Sequence, residues 1–213
     1  MENGIPLVAD PYNLIITGVG GQGNVLASRI IADMLTRLGF TVTIGETFGA
    51  SQRGGSVMSH LRVSARSCYS PQIPKGRAHM VVALEPTEAI RVLKDYGNPG
   101  VKVIANTRPI QSIGVICGEQ SYPTEEEIRA WLCELSESVW FIDTTQAAIA
   151  LGNPIFGNIM AVGALSATGA LPLQKDQFEA VLREKMSSEK VAVNLTAFDM
   201  GREMLSRTQH PLH

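Results

Sequence analysis

The chain has 213 residues, 45% of them apolar and 18% charged, with a formal net charge of −2. That composition suits a single α/β domain with its own core and is too apolar for intrinsic disorder. Without a run of Lys or Arg it excludes strong attraction to nucleic acid or an anionic membrane, and no apolar stretch reaches the 18 or so residues of a membrane span.

Residues 1–12 carry Gly4, Pro6 and Pro11 and read as a loose arm. They lack a basic region followed by an apolar run, so no signal peptide is expected and a cytoplasmic location is the default. Leu14 to Thr17 read as a short buried strand. Gly18-Val19-Gly20-Gly21-Gln22-Gly23 then forms a turn, and Asn24 to Leu38 place Val25, Ala27, Ile30, Ile31, Met34, Leu35 and Leu38 at helical spacing, with Gly39 as the stop. Gly18, Gly20 and Gly23 fit G-x-G-x-x-G between a strand and a helix. Glycines let a ligand approach the backbone, and the free N–H groups and dipole of the helix N-terminus favour an anion. In a dinucleotide-binding fold an acidic residue about 20 positions on holds a ribose, and Glu46 is the candidate. The alternative is that these glycines serve only tight helix–strand packing.

Phe40 to Ile44 read as a second strand. Gly45 to Ser56 is a polar, glycine-rich loop carrying Glu46, Gln52, Arg53 and Ser56. If the strand order brings it to the glycine turn, these residues line one crevice, and Arg53 can pair with a phosphate or carboxylate. The other reading is a flexible loop with one solvated arginine. Val57 to Ser64 alternate as a half-exposed antiparallel strand, and Ser70 to Gly76 turn.

His79 to Leu84 is a strand buried on both faces, and Pro86 opens a helix to about Asp95. Val101 to Ala105 is the next strand, and Ile113 to Cys117 is expected as another short one. Thr124 and Glu127 form a capping box for a helix carrying Ile128, Trp131, Leu132 and Leu135. Val139 to Ile142 is a strand ended by Asp143, which reads either as a functional residue or as the cap of a short helix, Thr144 to Leu151. Helices then follow over 159–167, 173–186 and 191–206. The expected fold is a three-layer, Rossmann-like α/β domain with a largely parallel mixed sheet and a helical C-terminal third.

Cys68, Cys117 and Cys133 are widely spaced, with no C-x-x-C, and His60, His79, His210 and His213 show no ligand spacing. No metal site is indicated, and any iron–sulfur cluster would sit on another chain. There is no G-x-S-x-G elbow, paired carboxylate motif or P-loop lysine, so no catalytic residue is assigned.

Two segments together carry a resemblance. Residues 18–64 resemble the gamma subunit or gamma domain of the 2-oxoacid:ferredoxin oxidoreductases, matching at Gly18, Gly20, Gly21, Gln22, Gly23, Glu46, Gly49, Arg53, Gly54, Gly55 and Ser56. Residues 158–173 and 193–201 resemble that family's closing helices. Length and ending are most similar to the small subunits of the indolepyruvate:ferredoxin oxidoreductases. The resemblance implies an accessory subunit, inactive alone, of a hetero-oligomer that converts a 2-oxo acid to an acyl-CoA and reduces ferredoxin. It implies thiamine diphosphate, iron–sulfur clusters and coenzyme A mainly on larger partner subunits, and none held by this chain alone. The cofactor-facing set would be Gly18, Gly20, Gly21, Gln22, Gly23, Glu46, Arg53, Gly54, Gly55 and Ser56. Alternatives are a free-standing NAD(P)- or FAD-binding protein using Gly18, Gly20, Gly23 and Glu46, or a non-catalytic assembly module.

Overall fold

In the computed structural model, which describes residues 6–49 and 55–208, strand β1 (Tyr12–Val19) is buried along its whole length. It is buried because it lies inside a six-stranded sheet of order β2-β3-β1-β4-β5-β6. Its neighbours are β3 (Ser56–Ser64), antiparallel, and β4 (Met80–Ala83), parallel. β5 (Lys102–Asn106) and β6 (Ser138–Ile142) extend the parallel half. β2 (Thr41–Phe48) pairs with β3 at the other edge.

Alternation of side chains sorts the core into two halves. Leu14 and Ile16 of β1, with Leu61 and Val63 of β3, face α1 (Asn24–Arg37). Ile15, Val81 and Val103 face the opposite side, against α2 (Pro86–Tyr96) and α4 (Glu125–Leu135). The α1 face also carries α5 (Thr144–Ala150), α6 (Gly157–Ala167), α7 (Lys175–Arg183) and α8 (Ser188–Arg207). The result is the expected three-layer α/β arrangement.

The helical C-terminal third has a specific packing. Every residue of α6 from Gly157 to Ser166 is buried, so this helix has no polar face. Gly163 and Gly201 sit where α6 and α8 cross. A Cβ on Gly163 would overlap the Phe198 carbonyl, and one on Gly201 the Met160 carbonyl. Phe178 of α7 stacks on Phe198 of α8 with ring centroids 4.5 Å apart, closing the layer.

Three expectations are corrected. Ile113 to Cys117 is not a strand: α3 (Ile113–Ile116) is a single helical turn capped by the Ser112 side chain, and no residue of it is buried. A strand there would need a sheet edge to pair with, and neither edge strand, β2 or β6, pairs with this segment. Second, β2 does not stop at Ile44. Gly45, Glu46, Thr47 and Phe48 continue it, pairing with His60, Ser59, Met58 and Val57, and Gly45 leaves room for Pro71 against the strand. Third, the outer helices are offset by a few residues from the expected 173–186 and 191–206, because their caps fall at Gln174 and Ser187.

Candidate functional site

The site lies at the carboxyl ends of the parallel strands. β1 is followed by a helix on one face of the sheet and β4 by a helix on the other, so the gap between their ends is a topological switch point. The glycine turn occupies that position. Gly21 (φ +101°) and Gly23 (φ +83°) are left-handed, a conformation that costs any other residue energy. α1 starts on Gly23 with no side-chain cap and no acidic residue in its first turn. Its first N–H groups therefore remain available to an outside acceptor.

The turn touches the second loop. Gly20 N–H donates to the Gly55 carbonyl at 2.9 Å, and Gly49 N–H donates to the Ser56 carbonyl at 2.7 Å. Gln52, Arg53 and Gly54 lie outside the described residues. Glu46 is on β2, level with Ser59 of β3 and hence with Ile16 of β1. Because β3 stands between β2 and β1, Glu46 is two strand spacings, roughly 10 Å, from β1. In the nucleotide-binding order the acidic residue ends a strand next to β1, so the free-standing NAD(P) or FAD reading loses its ribose ligand.

Gln22 turns inward. Its Oε1 accepts from Val19 N–H at 2.8 Å and its Nε2 donates to the Leu84 carbonyl at 2.7 Å, tying the ends of β1 and β4 together. Asn106 continues the tie. Its Nδ2 donates to the same Leu84 carbonyl and to Thr145 Oγ1, while its Oδ1 accepts from Thr144 N–H and Oγ1. Gly18 has no room for a side chain because Gln22 Oε1 lies over it. Asp143 caps α5 by accepting from Gln146 N–H at 2.9 Å, so the cap reading of that residue holds.

On the α2 side of the turn a crevice of about 390 Å³ opens, lined by Val19, Gly55, Ser56, Glu85, Glu88 and Tyr122 among others. Glu85 is 1% exposed, yet fully bonded. One oxygen accepts from Thr87 Oγ1 and Glu88 N–H, capping α2, and the other accepts from Tyr122 O–H at 2.5 Å and Ile110 N–H at 3.4 Å. Glu88 accepts from Ser56 Oγ at 2.5 Å and pairs with Arg91 at 3.3 Å. Burial pushes the Glu88 carboxyl above the usual range, against the opposing pull of Ser56 and Arg91. Burial and the Glu85 hydrogen bond raise the Tyr122 phenol. Sequence reading passed over Glu85, Glu88, Asn106 and Asn158 as site residues. The available signal was Glu85-Pro86, an acidic residue at a strand end just before a helix.

Cys68, Cys117 and Cys133 are free and lie on separate parts of the fold. Three scattered thiols do not fit the four-thiolate set of a cluster. Among the described residues no group of three or more His, Cys, Asp or Glu could hold a metal, and no helix is long and apolar enough to cross a membrane.

Fold and turn together define a Rossmann-like α/β protein whose uncapped glycine turn faces a switch-point crevice. Comparison with known proteins makes that class specific. The family described as pyruvate ferredoxin/flavodoxin oxidoreductase matches residues 13–204, and the chain belongs to it. It is 35% identical over 199 residues to indolepyruvate oxidoreductase subunit IorB of Thermococcus kodakarensis, covering 91% of this chain and 98% of that one. Its fold is shared with the gamma subunit of a keto/oxoacid ferredoxin oxidoreductase from Geobacter sulfurreducens, with TM-score 0.64, 22% identity, and 92% and 99% of the two chains covered. It is shared too with a 2-oxoglutarate:ferredoxin oxidoreductase from Magnetococcus marinus, with TM-score 0.71 and 24% identity, covering 93% of this chain and 32% of that longer one.

Proposed function

We propose that this chain is the accessory small subunit of an indolepyruvate:ferredoxin oxidoreductase in the cytoplasm. The observation that carries the reading is its likeness to an indolepyruvate oxidoreductase subunit over 98% of that subunit's length. In the complex, thiamine diphosphate would supply the chemistry of decarboxylation, on a larger subunit that also carries the iron–sulfur clusters. This chain would supply a surface and an anion seat.

The seat is the glycine turn. Gly18, Gly20, Gly21 and Gly23 expose the first N–H groups of α1, and Gln22 holds the turn to β4. Gly55 and Ser56 bring the second loop against it, and Arg53 and Gly54 would complete that loop, Arg53 as the cation. The anion would be a phosphate of a cofactor held mainly by the partner, or a partner carboxylate. The buried carboxylates at Glu85 and Glu88 confine it to the α1 side of the crevice.

The test is reconstitution with the larger thiamine-dependent subunit. Reduction of a dye acceptor by indolepyruvate and coenzyme A should require both chains. Arg53→Ala should weaken assembly or turnover while the fold survives. Turnover by the isolated chain, or failure of the two subunits to associate, would overturn the proposal.

A further inference from the structure

The segment 158–173 stands out in the sequence, and its first residue has a place at the glycine turn that anion binding does not explain. Asn158, in the first turn of α6, is 2% exposed. Its Nδ2 donates to the Gly23 carbonyl at 3.2 Å, across 135 positions of sequence. A Cβ on Gly23 would overlap that nitrogen, so the two residues fit only as a pair. Asn158 Oδ1 is buried, with no hydrogen-bond partner among the described residues. An unpaired buried carbonyl of this kind carries a desolvation penalty that folded proteins rarely leave uncompensated.

Beside Asn158 lies a cavity of about 30 Å³, lined also by Gln22, Leu84, Asn106, Thr144 and Thr145. That is room enough for an ordered water molecule. The hydrogen bonds around it leave defined vacancies. The Leu84 carbonyl already accepts from Gln22 and Asn106. Thr145 Oγ1 accepts from Asn106 Nδ2, which leaves its own proton uncommitted. Thr144 Oγ1 donates to Asn106 Oδ1, which leaves a lone pair uncommitted. Among the lining residues, Asn158 thus carries a buried unpaired acceptor, Thr145 an uncommitted donor and Thr144 a second acceptor. It holds no carboxylate for a cation, and an anion would meet the Asn158 oxygen unfavourably.

We propose that this cavity binds a single structural water that donates to Asn158 Oδ1 and accepts from the Thr145 hydroxyl, and that Asn158 and this water together fix the glycine turn. The turn's carbonyl at Gly23 and its amides are parts of rigid peptide planes, so anchoring one orients the other. The water links α6 to the chain of amides that runs from Gln22 through Asn106 to α5. Asn158 is a positioning residue, and its role holds whatever anion the turn receives.

A crystal structure of the wild-type chain, alone or in its complex, tests the site directly. Density for one water within about 3 Å of both Asn158 Oδ1 and Thr145 Oγ1 is expected. An amide rotated so that both its polar atoms meet protein groups, or no density at that point, would overturn the proposal. Hydrogen exchange tests the consequence. In Asn158→Leu the amide of Ala27, which donates to the same Gly23 carbonyl, should exchange faster by on the order of tenfold, the effect of losing about one net hydrogen bond. Exchange there equal to the wild type would refute the positioning role. Asn158→Ser, which retains a hydroxyl acceptor in less volume, should keep the water and show an intermediate rate, and a rate equal to that of the leucine variant would count against the water.

Discussion

Gly20 donates its amide proton to the carbonyl of Gly55 at 2.9 Å. The turn that ends β1 and the loop that enters β3 are therefore one structural unit, although 35 positions separate them. The turn itself can be dissected by two substitutions. Gly21 and Gly23 both have positive φ, but a Cβ at Gly21 meets nothing within 4 Å, whereas at Gly23 it meets Asn158. Gly21→Ala should cost about 1–2 kcal/mol from backbone strain alone. Gly23→Ala should cost roughly 2–4 kcal/mol, because overpacking adds to the strain. Urea unfolding of the two variants checks the order, and equal losses would contradict it.

The crossing of α6 and α8 should tolerate even less. At Gly163 and Gly201 the added methyl would strike backbone carbonyl groups, which have no rotamer to escape into. Gly163→Ala and Gly201→Ala should each destabilise by about 3 kcal/mol or more. The readout is the midpoint of thermal unfolding, or the soluble yield. A shift of under a degree in both would show that the helices can separate freely.

Glu85 pins the segment between Ile110 and Tyr122 at both its ends through one carboxylate oxygen. Glu85→Ala should leave the donors of Tyr122, Thr87 and Glu88 without their acceptor, at about 1–3 kcal/mol in total. The segment should then be cut faster by protease at sites between 110 and 122. Glu85→Gln, which keeps an acceptor oxygen, should fall between. Unchanged cleavage in Glu85→Ala would refute Glu85 as the residue that pins the segment.

Stability should depend on pH through one buried histidine, His60, one half-buried histidine, His79, and one carboxyl, in opposite directions. Burial lowers His60 and His79 below the ordinary imidazole value, and Arg77 lowers His79 further. Each also accepts a backbone hydrogen bond at Nδ1, from Ile73 and Asn13 respectively. A depressed folded-state value contributes stability above the unfolded value of about 6.5, and that stability is lost as pH falls through the folded value. Glu88 is raised, so its contribution is full below the unfolded value and is lost as pH rises through the folded value. Melting temperature should therefore fall as the solution is acidified below about pH 6.5. His79→Gln should flatten that slope, and an unaltered slope would refute the assignment.

The sequence made β1, its turn and α1 readable because everything there is local: three glycines at fixed spacing, then apolar residues at the helical period. The same holds for the capping box of Thr124 and Glu127, which is present as expected. Strand order was not readable. Nothing in residues 41–64 announces that β3 inserts between β1 and β2, since that choice is made by pairing over long distances. It decides the fate of Glu46, which spacing alone put beside the glycine turn. Ile113 to Cys117 misled because a short apolar run has no distinguishing period. Asn158 went unrecognised because its partner lies 135 positions away; Glu85 caps α2 locally, but its bond to Tyr122 spans 37 positions.

The burial of α6 on every side bears on how the chain is made. A ribosome delivers α6 before α8, and α8 provides the surface against which Gly163 and Met160 pack. Until that long helix emerges, α6, buried on every side in the finished fold, lacks its main packing partner. Completion of the fold must therefore wait until α8 has left the exit tunnel. Until then the uncovered flank of α6 is an apolar surface open to wrong contacts, and a premature stop before α8 should release a sticky fragment rather than a smaller folded subunit.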